Sequence, residues 1–178
     1  TLIDTKVTTV NPSFLTSKNT KPSIGAMTIP GTSNNPGYLA QNGFMVDALN
    51  VWTKELTGAE VTELYNSGNG QEYPFTLSNA VIGSAKDVVS TNNGTAQGGL
   101  TYTTGKVGNA FQFNGTNAYV SLPDNIFNFT GDFSASVWVY LPTNSSSNVG
   151  IIGNYNYGTG TGWGLSTNSS GTLYGRIA

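Results

Sequence analysis

The chain has 178 residues, with seven Lys and Arg against nine Asp and Glu, a net charge of −2 and only 9 % charged residues. Basic side chains so few and so scattered exclude the cationic stripe that nucleic acid binding needs, and they argue equally against an anionic membrane surface. With no cysteine and no histidine, the chain by itself cannot support disulfides, thiolate metal sites, Ser-His-Asp or Cys-His catalysis, or histidine-based zinc chemistry. No apolar run approaches the roughly 18–20 residues that span a bilayer, so no membrane insertion is expected. The 23 glycines, set among Asn, Thr and Ser, suit an all-β chain with many tight turns. The first residue is Thr1 and no signal-like stretch follows it, which reads as a processed or excised segment.

Thr1–Val10 alternates β-branched and polar residues, the pattern of a half-exposed strand. Asn11–Lys21 is a polar loop, Ser23–Ile29 a short apolar strand closed by Pro30-Gly31, and Thr32–Gly37 a turn cluster. Gly43–Trp52 is strongly apolar and is expected as a central strand. One short capping helix is predicted near 57–66. Thr57-Gly58-Ala59-Glu60 forms a capping box, Leu56 and Val61 have staple spacing, and Asn66–Gly70 stops the helix. Leu77–Thr91 is ambiguous, and Asn92–Gly94 and Gln97–Gly99 read as turns. Strands are predicted at Leu100–Thr104, Ala110–Phe113, Ala118–Leu122, Gly150–Tyr155, Trp163–Thr167 and Thr172–Ile177. The clearest is Phe133–Leu141, where Phe133, Ala135, Val137, Val139 and Leu141 share one face and Ser134, Ser136, Trp138 and Tyr140 the other.

Two segments carry a family likeness. Thr104–Pro123, with Gly108-Asn109-Ala110, the Phe113-x-Gly115 turn and Tyr119-Val120, precedes the Phe133-Ser134-x-Ser136-x-Trp138-Val139 strand. Together they resemble the N-terminal half of laminin-G-like, concanavalin A-like lectin/glucanase jelly rolls. Met45–Trp52 followed by Leu56-Thr57-x-x-Glu60-Val61-x-x-Leu64-Tyr65 resembles the closing segment of the same family. Ser23-Ile24-Gly25 looks like its "l-iG" strand and Thr1–Val10 like its "lYvdG" hairpin. The resemblance therefore covers most of the chain in swapped order. It implies an all-β, concanavalin A-like jelly-roll β-sandwich, with 1–75 as the C-terminal part of one module and 76–178 as the N-terminal part of a second. The alternative is one circularly permuted module; a "W-h-h-v-a" strand that the family places between the two parts is missing, which favours the tandem arrangement.

Glucanases of this fold carry an ExDxxE-type carboxylate cluster, which sets two acids across a glycosidic bond. No such spacing occurs here, so a non-enzymatic module is expected. Gly153–Trp163 is the most suggestive stretch for recognition. Flat aromatic faces pack on sugar C–H surfaces while amides bond hydroxyls. Asn154, Tyr155, Asn156, Tyr157 and Trp163 offer that mixture on a Gly-rich loop, read as flexible; the bland alternative makes Trp163 core and the tyrosines edge cover. Trp52 and Trp138 are expected to pack between layers. Asp47, inside an apolar strand, is either a hydrogen-bonded structural acid or a ligand, and the structural role is favoured. Asp124, Asn125 and Asp132 are weak candidates for Ca²⁺, whose sites take six or more oxygens; solvated loops are the simpler reading, and no cofactor is expected. The resemblance and composition together imply a glycan or cell-surface receptor as partner, with adjacent modules or subunits of one assembly, in an extracellular or virion-surface protein such as a phage fibre or bacterial adhesin. A structural spacer that binds only neighbouring subunits, and an accessory domain of a glycan-hydrolysing enzyme, are the alternatives.

Overall fold

The computed structural model describes residues 21–27, 39–70, 84–85, 92–124, 126–142 and 148–177. Eleven strands and one α-helix run in the order β1 (Ser23–Ile24), β2 (Asn42–Trp52), α1 (Gly58–Tyr65), β3 (Ser84–Ala85), β4 (Gly94–Gln97), β5 (Thr101–Thr104), β6 (Asn109–Asn114), β7 (Tyr119–Ser121), β8 (Ser134–Tyr140), β9 (Val149–Gly153), β10 (Trp163–Thr167) and β11 (Leu173–Ile177). The strand expected over Thr1–Val10 lies outside the described residues.

The strands form two antiparallel sheets. One has seven strands in the order β11-β10-β9-β1-β7-β4-β3, the other four in the order β5-β6-β2-β8. In both, strands from either side of residue 75 are hydrogen bonded to each other: β1 lies between β7 and β9, and β2 between β6 and β8. The sheets face each other across one apolar core. Phe44, Val46 and Phe113 come from the four-stranded side, and Ile24, Val120, Val149, Ile152 and Trp163 from the seven-stranded side. This is an all-β sandwich. On β8, Phe133, Ala135, Val137, Val139 and Leu141 do line the core side, as strict alternation requires.

Helix α1 forms as its local code dictates. The Thr57 hydroxyl accepts the Glu60 N–H, and the Glu60 carboxylate accepts the Thr57 N–H at 2.8 Å. Asn66 ends the helix in the left-handed region, at φ 46°. Lys54 donates to the Glu60 carboxylate, and with the Thr57 donors it holds that carboxyl down to about 2. A depressed carboxyl contributes stability above its ordinary 4.5, and that stability is lost as pH falls toward 2; exposure to solvent keeps the effect small. The helix is tied to the sheet where Leu56 N–H donates to Ser134 Oγ at 3.1 Å. Tyr65 stacks on Trp138 with ring centroids 6.3 Å apart, and Lys106 lies over the same indole. Trp138 thus sits on the outer face of the sheet, covered by the helix end, and not between the two sheets as expected.

One cross-sheet contact constrains the core most tightly. Gly25, directly after β1, has φ +77°, and a Cβ there would lie 2.0 Å from the edge of the Phe113 ring. Gly25→Ala therefore meets both left-handed strain and a ring that is itself 1 % exposed and packed against Phe44. We expect urea unfolding to show a loss of about 2–4 kcal/mol. A loss below about 0.5 kcal/mol would mean that the ring can swing away freely.

Candidate functional site

The segment between β9 and β10 is a fastened hairpin extension, not the flexible loop its glycines suggest. Asn154 N–H donates to Trp163 O at 2.9 Å, Asn156 N–H to Thr161 O at 2.8 Å, and Gly160 N–H to Asn156 O at 2.9 Å. The Asn156 Oδ1 accepts from Gly158 N–H at 2.8 Å, closing an Asx turn, and the hydroxyls of Thr159 and Thr161 meet at 2.7 Å. Gly162, at φ +93°, is required because a Cβ would stand 2.7 Å from Asn154 O.

The five residues singled out in this stretch divide into two groups. Trp163 is 2 % exposed and packs among Phe127, Phe129 and Phe133, with centroids 5.0, 6.0 and 4.9 Å away. An indole in that position presents no face to a dissolved sugar, so Trp163 belongs to the core. Asn154 is 4 % exposed, and its Oδ1 accepts the Trp163 N–H at 3.1 Å, which makes it a pin for the loop base. Tyr155, Asn156 and Tyr157 are half-buried and lie together. The two tyrosine rings meet edge to face, with centroids 5.2 Å apart and planes at 86°.

Tyr157 leads to partners far along the chain. Its hydroxyl reaches Ser166 Oγ at 3.5 Å, and its ring packs against Arg176, whose guanidinium carbon is 5.0 Å from the ring centroid. The same guanidinium is 5.4 Å from the centroid of Tyr174. The register explains the meeting: β10 and β11 pair Gly164 with Arg176 and Ser166 with Tyr174, so alternation sends Ser166, Tyr174 and Arg176 to the face opposite Trp163 and Leu165. Asn168 shapes the connecting turn, with Oδ1 accepting from Ser170 and Thr172 N–H and Nδ2 donating to the Tyr174 hydroxyl at 3.0 Å. The outer face at this end of the seven-stranded sheet thus carries Tyr155, Tyr157, Arg176 and Tyr174. Tyr174 and Arg176 were not singled out from sequence. Their signal was the alternation of Leu173–Ile177, which sets Tyr174 and Arg176 on one face.

Asp124 and Asp132 are exposed, and Asn125 lies outside the described residues. Among the described residues no group of three or more His, Cys, Asp or Glu comes together. No helix among the described residues is long and apolar enough to cross a membrane.

Asp47 is 7 % exposed and acts within the fold. Its Oδ1 accepts from Ala48 N–H and its Oδ2 from Val107 N–H, each at 2.7 Å. Burial pushes the carboxyl above its ordinary 3.8, against the opposing pull of the backbone donors of Val107, Ala48 and Lys106. No family model, no curated protein and no solved structure matches the chain.

In Asp47→Asn, an amide NH₂ would face backbone donors, and we expect a loss of about 1–3 kcal/mol at neutral pH. The sign of the pH effect follows from the raised carboxyl. Folding strengthens its hold on a proton, so wild-type stability from this group increases as pH falls toward 3.8. The variant lacks that gain. Its deficit should therefore widen between pH 7 and about 4 in urea titrations, and a deficit that narrows would contradict the assignment.

Proposed function

We propose that this chain is a non-catalytic carbohydrate or cell-surface recognition module of a multi-module extracellular or virion-surface protein. The observation that carries the reading is the Tyr155–Tyr157 pair, two rings at right angles on a hydrogen-bonded loop. Perpendicular rings offer one face to stack on the apolar side of a pyranose and one edge to flank it, while nearby amides and hydroxyls supply directional bonds. A loop already fastened by its own hydrogen bonds loses little further freedom on binding, which favours a shallow site of this kind. Affinity per site would be low, with avidity supplied by repeated copies in the assembly.

The two antiparallel sheets and the capping-box helix are in keeping with a laminin-G-like, concanavalin A-like jelly roll. The swapped order of the two family-like segments, set beside the interleaving of β1 and β2 with later strands, supports reading the chain as one permuted unit ahead of two half modules in tandem. Separating the halves would remove the pairings of β2 with β6 and with β8, leaving β6 with β5 alone.

On a glycan array, the wild-type chain presented multivalently should bind a restricted set of saccharides. Tyr157→Ala and Tyr155→Ala should each weaken that binding roughly tenfold, as loss of about 1–2 kcal/mol of aromatic contact implies. Circular dichroism should show the sandwich retained. Unchanged binding in both variants, or no binding by the wild type to any saccharide, would refute the reading.

A further inference from the structure

Arg176 is the one cation in the described structure that lies close to two aromatic rings. Its guanidinium carbon stands 5.0 Å from the Tyr157 centroid and 5.4 Å from that of Tyr174. The residue is half-buried, and its Nε is buried with no hydrogen-bond partner among the described residues. Among those residues the one ion pair is Lys54–Glu60, on the helix side of the other sheet, so none of the described carboxylates neutralises Arg176.

That combination is informative because a guanidinium taken partly out of water normally recovers its lost hydration from a carboxylate or carbonyl. Ring contacts offset part of that loss but supply no acceptor to the guanidinium N–H groups. Two ring contacts restrict the guanidinium, so an incoming acceptor would meet donors that are partly oriented. Around it stand further polar groups. The Tyr174 hydroxyl accepts from Asn168 Nδ2 and keeps its own O–H to donate. Ser166 is itself buried and meets the Tyr157 hydroxyl at 3.5 Å. With a net charge of −2 for the chain, any attraction of anions to this end of the sheet would come from this one arginine and not from a general positive field.

We propose that Arg176, beside Tyr157 and Tyr174, binds the carboxylate of an acidic saccharide, with the Tyr155–Tyr157 pair receiving the sugar ring. The proposal rests on the carbohydrate-recognition reading and adds the ligand's chemical class. A carboxylate matches the two parallel donors of the fork, the geometry in which arginine outperforms lysine. A sulfate ester offers similar oxygens, and the experiment separates the two.

The test uses the full chain and three matched oligosaccharides: a uronic-acid-containing one, its carboxyl-reduced neutral form, and a sulfated form of that neutral sugar. Titration calorimetry or ligand-observed NMR gives the affinity of each. The wild type should prefer the uronic acid sugar over the neutral form by about tenfold or more, the scale of a charge-assisted hydrogen bond. In Arg176→Gln that ratio should collapse to about one, and Arg176→Lys should recover only part of it, with thermal unfolding confirming that both variants fold. Raised salt should reduce the preference. Equal binding of acidic and neutral sugars by the wild type, or a preference unmoved in Arg176→Gln, overturns this proposal and leaves the carbohydrate reading standing. A preference for the sulfated sugar alone overturns the carboxylate assignment. Failure of all three sugars to bind overturns both.

Discussion

Asp47 holds the four-stranded sheet together at the point where that sheet is least regular. Pairing of β2 with β8 shifts register between Asp47 and Asn50, and Ala48 sits there at φ 44°, an unfavourable conformation for alanine. A strained bulge of this kind persists only where its surroundings over-determine it. Here the carboxylate supplies the constraint, receiving the Ala48 N–H from its own strand and the Val107 N–H from the β5–β6 turn. One side chain thus ties the central strand to the neighbouring hairpin. Gly105 follows from it, since a Cβ at that position would lie 2.4 Å from Asp47 Oδ2. The same row of the sheet pairs Asp47 with Trp138, which is where Tyr65 and Lys106 converge and the helix end is seated.

The seven-stranded sheet solves a different problem, the approach of chain to chain over its outer face. At Gly150 a Cβ would stand 2.5 Å from the backbone of Ala26, and at Gly164 it would stand 2.4 Å from the Met27 thioether methyl. Glycine at both positions lets Ala26 and Met27 pack flat on the sheet, and both are buried. Gly153, at φ 144°, opens the turn into the tyrosine loop. Short residues on the strands therefore make the floor, and the long side chains that stand above it come from the loop and from β11.

Much of this architecture was legible in residue order, because alternation and capping are local. The Thr57–Glu60 box, the core-facing row of β8 and the central place of β2 each follow from a few neighbouring residues, whereas Trp138, expected between the layers, lies on the outer face against Tyr65. What escaped was non-local. β4, Gly94–Gln97, pairs with β7 through Thr95, Ala96 and Gln97, yet its four residues carry no apolar alternation and sit between turn signals. Trp163 closes the Gly-rich stretch in sequence, but it alternates with Leu165, and that parity sends it into the core, the alternative reading of that stretch. Arg176 and Tyr174 meet Tyr157 only because a five-residue register between β10 and β11 brings them onto one face, and no spacing in the chain announces such a register.

The position of the tyrosine–arginine group within the sheet bears on what it can do. Among the described residues β11 is an edge strand with β10 as its one partner in the sheet, and an edge is where backbone order is normally weakest. Two features counter that weakness. The Asn168 side chain fastens the β10–β11 turn with three hydrogen bonds, one of them to the Tyr174 ring's own hydroxyl, and Arg176 lies close to both Tyr174 and Tyr157. The edge is thus stiffened by the same side chains that form its polar surface. Under the proposed reading, such placement would suit an extended ligand, since a chain of sugars could lie along the rim without entering a cavity. A buried pocket would need the sheets to part, and the Phe127, Phe129, Phe133 and Trp163 cluster directly beneath leaves no room for that.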